Sequence, residues 1–294
     1  MVEYTRIQRV LWIILALNIL VALAKGIFGL IAGSMSMVAD AIHSSFDSAS
    51  NIIGIAATHI ADRPPDSDHQ YGHAKVESLA TLIVGGMLLL TAYWVISEGV
   101  VRLTAGGAPT ITAITVGVMV ATLIINISVA WYERRMGEEL KSSFLIADSE
   151  HTRSDVYVSL SVLAGFAAVK AGYPAADPLI ALVIGVLIGR MGMSIIRQAG
   201  MVLTDAATVN CEDIVRKSVS LIPGVRGYHR FRCRGGPGEL FADIHVTVDP
   251  EMSVLHSHEI ARAVEDVLKE RVPGMKEVIV HIEPGTEGEY ETKG

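Results

Sequence analysis

The chain has 294 residues, 51% of them hydrophobic and 19% charged, with a mean hydropathy of +0.44. That is too apolar for an ordinary soluble domain and fits a membrane protein with a soluble appendage. The net charge of −7 lies mostly from Asp205 onward, where 16 acidic residues outnumber 11 basic ones, so nucleic acid is not an expected partner.

Six segments are long enough to span a bilayer, which takes about 20 residues each. They run over 10–32, 36–60, 78–101, 110–132, 144–170 and 178–203. Arg6 and Arg9 precede the first, and "ALA" at 22–24 resembles a signal-peptidase site. The apolar run continues past Lys25, however, so a span is expected there and not a cleaved leader. The first, third, fourth and sixth segments are apolar enough to assign directly, although Lys25 and Arg190 fall inside two of them; the second and fifth are weaker because they carry several charged residues. Arg6, Arg9, Arg63, Lys75, Arg134, Arg135, Lys141 and Arg197 fall on one side, and only Arg102 and Lys170 on the other. The positive-inside rule makes the first side cytoplasmic, with both termini on it.

The interruptions repeat. "ADAIHSSFD" in the second segment and "ADSEHTRSD" in the fifth both spell A-D-x-x-H-x-x-x-D. On a helix Asp40, His43 and Asp47 fall within about 60° of arc, as do Asp148, His151 and Asp155. Carboxylates do not face lipid, so both stripes are expected to turn inward. His and Asp suit a borderline divalent metal, and two of each make a tetrahedron for Zn²⁺. A proton relay or a metal-free polar seam is the competing reading. Asp47 and Asp155 each lie about 16 Å from opposite membrane faces, so both come near the midplane. The two helices run antiparallel, as in an inverted duplication of three helices.

Beyond Asp205 the pattern changes. "CEDIVRKSVSLI" reads as an amphipathic helix, and "VRGYHRFRCR" and "ELFADIHVTV" as strands joined by a Gly-Gly-Pro-Gly turn. A helix capped by Ser253 and a third strand, "KEVIVHIE", follow. The organisation expected is thus a polytopic α-helical membrane domain over 1–205, an αββαβ α+β domain over 206–286, and a disordered tail over 287–294. Cys211 and Cys233 form no CxxC and no disulfide framework, which places this domain in a reducing compartment.

The six spans and tail, with "HSSFD", "HTRSD" and the "YGHAKVES" before the third span, resemble the cation diffusion facilitator family of metal efflux transporters. The resemblance covers residues from about 10 to 284. It implies a homodimer in the cell membrane that exchanges cytoplasmic Zn²⁺ or a related ion for protons. It implies a transport site of His43, Asp47, His151 and Asp155, with His43 matching the zinc-preferring pattern. Asp66, His69 and His73 match a metal site in the cytoplasmic loop, and the alternative there is a solvated polar loop. Lys75 matches a lysine that pairs with an acid after the sixth span, here Asp205. His229, His245, His258, His281 and Glu283 match the metal ligands of the cytoplasmic domain, with Glu283 where some members carry Asp. Bound Zn²⁺ is then both cargo and a structural or regulatory ion.

An enzyme is not expected: there is no HExxH, and no spare general base stands beside a three-ligand site. A metal sensor using the tail alone is a third possibility. Mn²⁺ or Fe²⁺ is the alternative substrate, although harder ions favour more oxygen donors than two histidines leave. Asp40 and Asp148, the leading acids of the two motifs, are candidate relays on opposite sides of the transport site.

Overall fold

The computed structural model describes residues 3–31, 35–105, 113–171, 173, 176–236 and 238–285. The side chains of 28–31 and 35–47, and of scattered positions between 102 and 177, lie outside the described ones. So does the segment 286–294, which includes the tail 287–294 expected to be disordered. The chain forms two units, residues 3–200 and the remainder from 201.

The first unit is a bundle of α1 (Tyr4–Ile31), α2 (Met35–Ala61), α3 (Lys75–Ala105), α4 (Ala113–Leu140) and α5 (Ser143–Lys170), joined by most of α6 (Ala176–Leu203). Each helix has 27 to 31 residues, or about 40 Å at 1.5 Å per residue, which exceeds the hydrocarbon core. Four of them, α1, α3, α4 and α6, are apolar enough to cross a membrane by composition alone. α2 and α5 fall short because they carry the buried polar residues. Ser50, Asn51 and Thr58 on α2 and Asp148, Ser149 and Ser154 on α5 are buried, while Trp12, Leu20, Leu90, Trp94 and Val183 are exposed. This is the inverse of a soluble bundle and the arrangement that lipid demands.

Helix α2 packs on α1, and α5 packs on α3 and α4. Where α2 meets α5, Gly54 faces the fully buried Phe144, and a Cβ at Gly54 would come within 2.2 Å of its ring. A glycine is therefore what lets the two motif-bearing helices close on each other.

The clearest difference from the expected segments is at the end of the fourth. α4 does not stop at 132 but runs through "ERRMGEEL" to Leu140, and α5 starts at Ser143. The charged stretch continues the helix because its side chains pair along the surface: Arg134 Nε donates to Glu138 Oε1 at 2.6 Å, an i,i+4 contact. The link to α5 is reduced to Lys141, in a left-handed conformation (φ 55°), and Ser142.

The second unit contains α7 (Glu212–Val219), β1 (Gly227–Gly236), β2 (Glu239–Val248), α8 (Val254–Arg271) and β3 (Met275–Pro284), the αββαβ order. The sheet order is β1-β2-β3, with β1 antiparallel and β3 parallel to β2. Alternation along β2 buries Leu240, Ala242, Ile244, Val246 and Val248 against Val215 and Val219 of α7 and Ile260, Val264 and Leu268 of α8. His245 is consequently on the opposite face. Gly235 (φ 106°) makes the β1–β2 turn, where a Cβ would lie 2.1 Å from the Glu239 carbonyl oxygen. Ser253 caps α8 by accepting the His256 backbone N–H at 3.3 Å.

Candidate metal sites

In the bundle, a small polar cavity of about 20 Å³, room for a single ion or water, is lined by Asn18, Ser50, Asn51, Asn126, Asp148, His151 and Asp155, among other described residues. Three of these form a hydrogen-bonded chain across helices. Asn18 Nδ2 of α1 donates to Asn51 Oδ1 at 2.9 Å, and Asn51 Nδ2 of α2 donates to Asp148 Oδ2 of α5 at 2.7 Å. Asp148 is 1% exposed and His151 5%. The Asn51–Asp148 bond fixes the register of two antiparallel helices. Asp47 and His43 precede Asn51 by one and two turns on α2; His151 and Asp155 follow Asp148 by one and two turns on α5. The structure thus brings Asp148, His151 and Asp155 to one cavity. The side chains of Asp40, His43 and Asp47 lie outside the described ones.

The N-terminus of α5 is held from α3. Glu77, 5% exposed, accepts from the Phe144 backbone N–H at 3.0 Å, from Ser142 Oγ at 2.6 Å and from Ser143 Oγ at 3.4 Å, all at Oε1. A carboxylate at a helix N-terminus both satisfies orphan N–H groups and complements the helix dipole. Glu77 therefore fixes the end of the helix that bears His151 and Asp155.

The loop between α2 and α3 gathers Asp66, His69 and His73, whose ligand atoms all lie within 4.8 Å of one another. His69 Nδ1 is 3.4 Å from Asp66 Oδ1, His73 Nε2 is 3.3 Å from Asp66 Oδ2, and the imidazole centroids are 4.4 Å apart. Asp66 and His69 are exposed; His73 is buried. The His69 backbone N–H, at 2.7 Å, does most to hold the Asp66 carboxyl below its usual range, so it is ionised and ready to bind a cation. Lys75 opens α3 in this unit, and Asp205, with φ 57°, follows α6 in the other.

In the second unit each strand supplies a histidine to one face. His229 pairs with His245, and His245 with His281, in strand register. A bulge follows His229, with Arg230 at φ 50°. Glu283 joins them: Oε2 is 2.8 Å from His229 Nε2, Oε1 is 2.7 Å from His245 Nδ1 and 3.5 Å from His281 Nε2. His245 and then His229 hold the Glu283 carboxyl below its ordinary value by hydrogen bonding. The donor set of His229, His245 and Glu283, within 4.8 Å, fits a borderline divalent ion. His258 is exposed on α8, two residues before the inward-facing Ile260, and within one chain it is not brought to the cluster.

Two family models account for almost the whole chain. The cation efflux transmembrane domain matches residues 11–204, and the cation efflux protein cytoplasmic domain matches residues 210–285. The chain belongs to the cation diffusion facilitator family of metal transporters. It is therefore a multi-pass membrane protein that moves divalent metal cations, with a cytoplasmic domain of the dimerising kind. Metal tolerance protein C1 of Arabidopsis thaliana is 30% identical over 286 residues, 92% of this chain and 61% of that protein. An uncharacterized transporter of Methanocaldococcus jannaschii is 31% identical over 267 residues, 90% of this chain and 94% of that one. Magnetosome protein MamB of Magnetospirillum gryphiswaldense is 29% identical over 281 residues, 94% of each. Among solved structures, a MamM CTD variant is 27% identical, with a TM-score of 0.25, and covers 26% of this chain and 90% of that one.

Sequence reasoning about this transporter missed Glu77, Asn51 and Glu133. Glu133 is on α4 and 0% exposed, and its Oε2 accepts from Thr152 Oγ1 at 2.8 Å. A signal existed: Asn126 and Glu133 are seven residues apart, hence on one face of α4. It was obscured because the charged run after Trp131 resembles a loop.

Proposed function

We propose that the transporter exports Zn²⁺ from the cytoplasm in exchange for protons, through a His₂Asp₂ site of His43, Asp47, His151 and Asp155 at the α2–α5 seam. The observation that carries this reading is the buried Asn51–Asp148 bond at 2.7 Å. It supports a register in which the two motifs are level, since each pair of ligands then lies one and two turns beyond the bond. Neutral imidazole and ionised carboxylate bind metal; their protonated forms do not. Protons arriving from outside therefore release the ion, and loss of those protons on the cytoplasmic side prepares the site for the next. In this reading Asp40 and Asp148 relay ions or protons on the outer and inner sides of the site. Asp66, His69 and His73 collect metal at the cytoplasmic mouth, and Lys75 pairs with Asp205 to tie the bundle to the cytoplasmic domain. His229, His245, His258, His281 and Glu283 bind metal between two subunits of a homodimer, with His258 contributed across the dimer. Both termini are cytoplasmic, in the cell membrane, and the reading assigns no enzymatic step.

One observation favours Mn²⁺ or Fe²⁺ as an alternative substrate. The described cavity wall offers the oxygen donors Asn18, Asn51, Asn126, Asp148 and Asp155 against one histidine, a balance that suits harder ions. A metal panel in proteoliposomes with a pH gradient separates the two. Wild type is expected to prefer Zn²⁺ over Cd²⁺ and Mn²⁺, and His43→Asp to raise the Cd²⁺:Zn²⁺ rate ratio. An unchanged ratio removes His43 as the selectivity element. A wild-type preference for Mn²⁺ replaces zinc with the alternative.

A further inference from the structure

The described transport-site residues leave one buried acid unexplained. Glu133 belongs to α4, a helix apolar enough to span, and is 0% exposed. Ionisable groups at such positions are costly and face protein or a wet cavity with a specific partner. One oxygen has its partner: Oε2 accepts from Thr152 Oγ1. Among the described residues the other, Oε1, has no hydrogen-bond partner although it is fully buried. The same Thr152 hydroxyl lies 3.2 Å from the Asp148 backbone carbonyl oxygen, so Glu133 sits against the turn of α5 that Asp148 opens, and its carboxyl interacts electrostatically with Asp148 and Asp155. Asp148 in turn is pinned by Asn51 from the α2 side. Two buried carboxyl groups are thus held against each other by neighbours that fix both of them, Thr152 on one side and Asn51 on the other. Neighbouring carboxylates cannot both stay charged without a shared cation.

We propose that Glu133 and Asp148 form a second cation site of oxygen donors, between α4 and α5 and one turn to the cytoplasmic side of His151. The donors present are carboxylate oxygens, with the Thr152 hydroxyl and the cavity's asparagine amides beside them. Oxygen-only donor sets select hard ions of the Mn²⁺ type over Zn²⁺, which prefers nitrogen and sulfur. The site stands inward of His151 because α5 enters from the cytoplasmic side, so an ion there precedes the transport site on the way out. Its position along the path rests on the transport reading above; its existence rests on Glu133 and Asp148.

The test counts Mn²⁺ bound to the full-length protein in lipid nanodiscs, by electron paramagnetic resonance. Asp155→Ala disables the proposed transport site, and it is compared with the double variant Asp155→Ala, Glu133→Gln. The loop and cytoplasmic clusters are common to both proteins, so the difference reports the α4–α5 site alone. The double variant should bind one equivalent fewer, or bind that equivalent about tenfold or more weakly. Equal counts and affinities overturn the proposal, and the shared cation is then a proton. Where the double variant does not fold, Asp155→Ala with Glu133→Asp keeps the charge on a shorter stem. It should weaken that one equivalent by a similar factor, and an unaltered affinity overturns the site. The transport reading is judged separately by Zn²⁺ binding to Asp155→Ala alone, which that reading expects to lose one equivalent.

Discussion

Asn51 is the residue whose removal should most directly uncouple the two motif-bearing helices. It donates to Asp148 at 2.7 Å and accepts from Asn18 at 2.9 Å, and it is 1% exposed. A buried hydrogen bond to a charged acceptor contributes about 1.5–3 kcal/mol. Neutral interhelical bonds in membranes average about 0.6 kcal/mol, because the unfolded chain in lipid also finds partners. The Asn18 contact belongs to the second class and the Asp148 contact to the first. Asn51→Ala should therefore destabilise the bundle by about 2–3 kcal/mol, mostly through Asp148. A double-mutant cycle with Asp148→Ala isolates that bond, and its coupling energy should be about 2 kcal/mol. The assay is reversible unfolding in mixed micelles, followed by circular dichroism. A coupling below about 0.5 kcal/mol, meaning that the two substitutions simply add, would refute the claim that this bond sets the α2–α5 register.

Other outcomes follow from the same contacts. Glu77→Ala removes the acceptor that serves Phe144 N–H and Ser142 Oγ and should cost about 2 kcal/mol or more, whereas Glu77→Gln keeps a carbonyl oxygen there and should cost less; equal losses in thermal unfolding would contradict the capping role. In the metal-free cytoplasmic domain, Glu283 is held below its ordinary value of 4.5, so its contribution is present above that value and is lost as pH falls below it through the lower folded value. Melting temperature should drop across that acid range, and His245→Ala should make the drop shallower; an unchanged slope would break the link. Burial pushes the Cys211 thiol up to about 11, so at pH 8 its alkylation should be about a hundredfold or more slower than that of a free cysteine, and an ordinary rate would show that the residue is accessible. Asp40→Asn and Asp148→Asn should each alter the pH dependence of transport, and a pair of unchanged profiles would end their assignment as relays.

The fold was legible where the local pattern and the tertiary environment agree. Continuous apolar runs identified α1, α3, α4 and α6, and period-two alternation identified β2 and β3. Ser253 announced its helix because capping is a local interaction. The end of α4 was not legible, since Arg134 and Glu138 support the helix through a side-chain pair that composition reads as a loop. The surroundings of the bundle site were illegible for a different reason. Glu77, Asn51 and Glu133 act on residues 67, 97 and 19 positions away, at Phe144, Asp148 and Thr152, and no periodicity within one helix encodes such a partner. The repeated motif pointed to two polar faces, of which the described side chains include the one on α5, but it carried no information on which neighbours hold such a face in place.

The most direct measurement is Zn²⁺ flux in sealed proteoliposomes under an imposed pH gradient, comparing wild type with Asp155→Ala at equal protein load. Wild type should carry Zn²⁺ against the proton flow, saturably and only with the gradient present, and Asp155→Ala should fall to the leak of empty vesicles. Flux in Asp155→Ala equal to wild type, or wild-type flux indifferent to the gradient, would contradict proton-coupled zinc transport at the α2–α5 site.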